Sequence, residues 1–136
     1  HNLFVANFVG RANIFSSPVM KANTTHITVE IANQQFELKN TKEFQAGDQV
    51  NILVRREDID VWGKNEIDKS EASLPATVSE VIYKGSTVDL VVTLSNGQTI
   101  SATEFFDEDD EELIYEIGEK VLVRWKTGWE VLLNDK

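Results

Sequence analysis

The chain contains no cysteine, so a disulfide framework, a thiolate metal site and a cysteine nucleophile are all excluded. Histidine is scarce, limited to His1 and His26. A lone histidine beside alternating strand residues is more often a packed or surface residue than a base or a ligand, and no hydrolytic triad assembles around His26 with any specificity. No apolar run approaches the roughly 20 residues that cross a bilayer, and the N-terminus lacks a basic segment followed by an apolar stretch. The expectation is a soluble chain with the cytoplasm as its default compartment. Basic charge is short as well: 13 Lys and Arg stand against 23 Asp and Glu, a formal net charge of -10. Such a field repels phosphate backbones and anionic lipid heads, so no nucleic acid is expected as a partner and cations or proteins are favoured; a nucleic-acid-binding OB-fold would need a basic groove with stacking aromatics, and the cations here are scattered among acids. No Gly-x-x-x-x-Gly-Lys-Ser/Thr string occurs, and hence no loop of that kind cradles nucleotide phosphates.

What is present is β patterning. At 136 residues the chain suits one domain, or two small β units, and folding buries about two-thirds of its unfolded surface. Ile27, Val29 and Ile31 alternate with polar neighbours, Phe36 and Leu38 flank Glu37, and Val50, Ile52 and Val54 run through a β-branched stretch. Residues 76–83, 87–94, 99–105, 120–125 and 130–133 also read as strands, giving about ten short strands at the close spacing of a barrel or sandwich. Asn96-Gly97, between two alternating runs, predicts a hairpin with a two-residue type I′ turn. Asn2 to Val9 is expected to form a short helix ended by Gly10.

The two halves echo each other. Phe44, Gly47, Asp48 and Val50 recur at the same spacing as Tyr115, Gly118, Glu119 and Val121, each set leading into a strand. The fold class expected is therefore all-β, an OB-like assembly of two related units at about 11–62 and 74–136, joined by the polar stretch from Gly63 to Ser73.

Candidate functional residues are few. The unbroken acidic run Asp107, Glu108, Asp109, Asp110, Glu111, Glu112 lacks the alternating ligands and central glycine of a calcium loop. It reads first as a solvated loop and second as a diffuse site for a polyvalent organic cation, with an aromatic wall such as Trp125 or Trp129 beside it. Trp62, Trp125, Trp129, Tyr83 and Tyr115 are more often core than interface in a small β domain. Trp129, beside the Lys126-Thr127-Gly128 turn, is the one placed at an interface. Leu94-Ser95-Asn96-Gly97-Gln98 is similar to the signature of ABC ATPases, but the strand pattern that follows it removes the helix N-terminus on which that signature depends. No residue is assigned as catalytic, cofactor-binding or metal-binding.

Several stretches together resemble the ATP-binding subunits of binding-protein-dependent importers. Asn2 to Gly10, followed by Asn13 and Phe15, resembles the stretch that closes their nucleotide-binding domain. Val54-Arg55-Arg56-Glu57-Asp58-Ile59 resembles the Arg-Pro-Glu-Asp-Ile motif of their transport-associated OB (TOBE) region, with Arg56 where proline is usual and Arg11 where glutamate is common. Val81 to Val88, Glu104 to Asp110 and Trp125 to Val131 look like the spermidine/putrescine branch. The resemblance implies a tail of a nucleotide-binding domain at residues 1–10 and a regulatory and dimerisation domain at 11–136. It implies a parent ATPase that uses ATP and Mg, pairs with a second copy of itself, and meets membrane-spanning permease subunits at the cytoplasmic face of the bacterial inner membrane, with polyamine as cargo. Its own nucleotide-binding domain would be a further partner, and the fragment itself carries no catalysis. The alternative is a free-standing ligand-binding OB module; related domains bind oxyanions such as molybdate, which a net charge of -10 opposes.

Overall fold

The computed structural model describes residues 12–63, 73–105, 115–126 and 128–134. The expected helix at Asn2 to Val9 and the acidic run at 107–112 lie outside these residues. Within them the protein is all-β, with eleven strands and a single 3₁₀ turn, Arg56–Asp58. In order, the strands are β1 (Ala12–Pro18), β2 (Lys21–Ala22), β3 (His26–Ile31), β4 (Gln34–Lys39), β5 (Gln49–Arg55), β6 (Ile59–Gly63), β7 (Leu74–Tyr83), β8 (Thr87–Leu94), β9 (Thr99–Phe105), β10 (Lys120–Trp125) and β11 (Val131–Asn134).

The chain divides into two compact units. One takes the residues up to Arg55 together with those from Trp125 onward; the other runs from Arg56 to Arg124. The first unit holds two three-stranded sheets, β1-β5-β11 and β2-β3-β4. Its closing strand, β11, pairs antiparallel with β5, setting Val131 opposite Leu53. Alternation drives the packing: Ile27, Val29 and Ile31 of β3 point inward, as do Phe36 and Leu38 of β4, because successive side chains of a strand face opposite ways. β1 obeys the same period with polar residues in inward places, since Asn13, Phe15 and Ser17 are all buried. Ser17 meets the cost of burial by donating to the Pro18 carbonyl at 2.8 Å and accepting the Glu30 amide at 3.0 Å.

The second unit is built on a five-stranded sheet ordered β6-β10-β7-β8-β9. Its inner face comes from Val78, Val88, Leu90, Val92, Ile100, Ala102, Val121 and Val123, each at most 2% exposed. The edge strands β6 and β9 approach each other, so the sheet curls toward a barrel and hides much of its own edge.

The turns explain where the strand period stops. The repeated unit read from the sequence has one geometry in both places. Gly47 donates to the Val19 carbonyl at 2.8 Å while Val19 donates to the Asp48 carbonyl at 2.7 Å; Gly118 and Val78 exchange the equivalent bonds at 2.8 and 2.9 Å, with the Glu119 carbonyl. The acid closes the turn in each case, Asp48 accepting the Gln45 amide at 2.8 Å and Glu119 the Glu116 amide at 3.1 Å. Gly47 and Gly118 sit at φ of 95° and 92°, where a β-carbon is disfavoured. Phe44 and Tyr115 are buried ahead of the turn, and Val50 and Val121 after it.

The hairpin expected at Asn96-Gly97 is present, joining β8 to β9 with Thr93 opposite Thr99. Its turn type differs from the expectation. Only Gly97 has positive φ, at 89°, and Leu94 accepts the Gly97 amide at 2.9 Å while donating to Gln98 at 2.8 Å. The loop is thus three residues, Ser95 to Gly97, with glycine in the left-handed place. Asn96 uses its side chain to accept the Gln98 amide at 2.9 Å instead of entering positive φ itself. The two-residue turn with positive φ at both positions is Ala32-Asn33, at 48° and 68°, between Ile31 and Gln34 of β3 and β4.

Candidate functional site

Trp125 ends β10 and organises the surface that follows it. Its ring lies 5.6 Å from Phe15 and 5.5 Å from Phe36, each at an interplanar angle of 15°. All three rings are buried. Of the two places open to Trp125 in the sequence, core or ligand wall, the indole takes the core. Its polar edge still needs a partner, and Nε1 donates to Glu130 Oε1 at 3.0 Å. The same oxygen accepts the Gly128 amide at 3.2 Å, and the Trp129 amide donates to the Lys126 carbonyl at 3.1 Å. One carboxylate thus ties a buried ring to the turn that crosses the protein surface.

That turn presents Trp129, which is 51% exposed. The Lys126 Nζ lies 4.9 Å from the ring centroid, within cation–π range. Exposure leaves the ring of Trp129, the residue placed at an interface from the sequence, accessible to a partner. In the same unit, residues 22–24, 40 and 43–46 line an open hollow of about 480 Å³. Its rim is held by asparagines. Asn23 Oδ1 accepts the amides of Thr25 and His26 at 2.9 and 2.8 Å. The Asn40 side chain donates to the carbonyls of Asn23 and Phe44 and accepts the Phe44 amide at 2.8 Å. Glu43 is the one charged residue among the lining residues, and its φ of 55° is unusual for a residue with a β-carbon.

The other aromatic candidates lie in the second unit, where Trp62 and Tyr115 have structural duties. Arg124 stacks over Trp62 at 5.4 Å. The Tyr115 hydroxyl bonds Glu104 at 3.0 Å and the Val61 carbonyl at 3.3 Å, linking β6 to β9. Tyr83 is about half exposed. His26, in the first unit, pairs weakly with Glu37 at 3.9 Å. Among the described residues no group of three or more His, Asp or Glu side chains is arranged to hold a metal, and no helix is long and apolar enough to cross a membrane.

Sequence reasoning missed a charged hub in the second unit. Asp89 of β8 accepts Lys84 at 2.7 Å and the Thr103 hydroxyl at 2.8 Å, with Arg56 at 3.9 Å. Arg56, which stands where proline is usual in the motif it resembles, contributes a charge to the hub. The Lys84 and Thr103 hydrogen bonds, aided by the positive fields of Lys84 and Arg56 and opposed by partial burial, hold the Asp89 carboxyl below its ordinary value. A lowered folded-state value adds stability above the unfolded value and loses it as pH falls through the folded one. Asp89→Asn is expected to cost about 1 kcal/mol at neutral pH and to converge with the parent protein in strong acid. Urea unfolding at a series of pH values checks this, and a deficit that persists undiminished in strong acid would contradict it. No pattern in the strand advertises the hub, because its partners come from three separate stretches of chain.

The TOBE domain family model matches residues 52–133. The spermidine/putrescine import ATP-binding protein PotA of Legionella pneumophila is 49% identical over 132 residues, 97% of this chain and 36% of that protein. The protein of the same description from Lawsonia intracellularis is 41% identical over 133 residues, again 97% of this chain and 36% of that one. This chain therefore spans about a third of the length of these relatives. The molybdate-bound structure of the cytoplasmic molybdate-binding protein ModG superposes with a TM-score of 0.71, covering 88% of this chain and 94% of that one at 17% identity. That likeness establishes the OB-like fold alone.

Proposed function

This chain belongs to the TOBE domain family, and from that membership we propose that it is the non-catalytic regulatory and dimerisation domain of the ATP-binding subunit of a bacterial polyamine importer. The observation that carries this reading is identity of 49% running through 97% of the chain to a spermidine/putrescine import ATP-binding protein. In this reading ATP and Mg are used by the parent subunit's nucleotide-binding domain. The partners of the parent are that domain, a second ATP-binding subunit, and the permease subunits at the cytoplasmic face of the inner membrane.

The chain's own residues supply association and not chemistry. The string at 94–98 forms a hairpin loop, which has no helix N-terminus to offer a phosphate. Trp129, rigidly presented and half exposed, is the type of residue that anchors protein contacts. The acidic run 107–112 is proposed to attract the polyamine itself, as a trication meeting clustered carboxylates.

Association is tested by sedimentation equilibrium of the chain. The expected result is monomer at about 10 µM and substantial dimer at about 1 mM, as suits a contact smaller than a permanent interface. A chain that stays monomeric throughout contradicts the dimerisation role.

A further inference from the structure

We propose that two copies of this chain join by a reciprocal contact in which the Trp129 indole and Lys126 ammonium of one copy enter the hollow lined by Phe44 and Glu43 of the other. The proposal rests on the dimerisation reading above and names its surface.

Size, charge and rigidity on both sides support it. The hollow measures about 480 Å³, against roughly 150 Å³ for a cavity that accepts a benzene ring, so an indole with an accompanying ammonium fits. Its charged lining residue is an acid, Glu43, and the charged group on the Trp129 ring is a cation, Lys126. Neither feature fills the other within one copy, since Trp129 is 51% exposed and the hollow stands open. The turn and the strand that leads into the rim are neighbours: Lys39, next in sequence to Asn40, places its Nζ 4.0 Å from where a β-carbon on Gly128 would stand. A twofold contact requires one continuous patch carrying both a projection and its receptor, so that each copy gives and receives once.

Preorganisation reduces what the contact must offset. Glu130 fixes the turn through Trp125 and Gly128, while the side chains of Asn23 and Asn40 fix the rim. Little further ordering is then required on association, which is where weak interfaces lose most of their energy.

The geometry gives a charge-exchange test. Lys126→Glu sets two acids against each other twice per dimer, and Glu43→Lys sets two cations against each other twice. Mixing the two variants restores an acid–cation pair at both contacts. The expected results are a dissociation constant raised at least about tenfold for each variant alone, recovery toward the parent value for the equimolar mixture, and loss of association for Trp129→Ala. Each substituted side chain is on the surface, and near-ultraviolet circular dichroism of the Phe15–Trp125–Phe36 stack verifies folding. If the parent chain dimerises and the variants and their mixture dimerise equally well, this surface is wrong while the dimerisation role stands. If the parent chain never dimerises, both fail. If a variant is weakened but the mixture does not recover, the reciprocal pairing of Lys126 with Glu43 is overturned.

Discussion

Trp125→Ala is expected to lower the unfolding free energy by about 3–5 kcal/mol, the range for removing a buried aromatic side chain. Three losses combine. The ring is the middle member of a stack with Phe15 and Phe36, and offset aromatic pairs contribute about 0.5–1.5 kcal/mol each beyond burial. The space left behind lies between Phe15 of β1 and Phe36 of β4, held in different sheets. Glu130 loses the indole donor that holds it over the turn. Trp125→Phe separates these contributions, because it keeps most of the stack and removes the donor; it is expected to cost about 1 kcal/mol. Urea denaturation followed by far-ultraviolet circular dichroism reads both, with the midpoint falling and the slope unchanged if only stability is altered. A cost below about 1 kcal/mol for the alanine variant would show that the stack is not a principal support of the first unit. Because the same ring anchors Glu130, Trp125→Phe should also loosen the presentation of Trp129 and weaken self-association while leaving the fold intact.

The strands were legible where their inward residues are apolar. β8 alternates in burial along its whole length and β9 does so up to Thr103, and the boundaries read from the sequence for them, 87–94 and 99–105, are those observed. β1 was not legible, since its inward side chains include Asn13 and Ser17, and a period written partly in polar residues does not register as hydrophobic alternation. The two-residue turn at Ala32-Asn33 escaped for a related reason: it reaches positive φ without glycine, the usual sign of such turns. The repeated turn was legible because its glycine, its acid and its flanking apolar residues each have one task that few other residues perform.

The site divides along the same line. Trp129 stood out as a large apolar residue beside a turn, and it is exposed. The hollow did not stand out, because its rim is made by hydrogen bonds of Asn23 and Asn40 that are short-range in space but 17 residues apart in sequence. Glu130 looked like an ordinary strand residue, and its role depends on where Trp125 and Gly128 place their donors. Pattern reveals which face a residue takes; it does not reveal which two faces meet.

The proposed role in transport is tested most directly by exchange. In the Legionella pneumophila relative, the third of the protein that this chain matches is either deleted or replaced by this chain, and spermidine uptake is measured in cells that lack their own importer. Joined association domains raise the effective concentration of the ATPase partners, so deletion is expected to reduce uptake at least about tenfold. Replacement by this chain, at equal protein level, should restore uptake to near the intact value. A replacement protein that accumulates normally yet transports no better than the deletion would contradict the account.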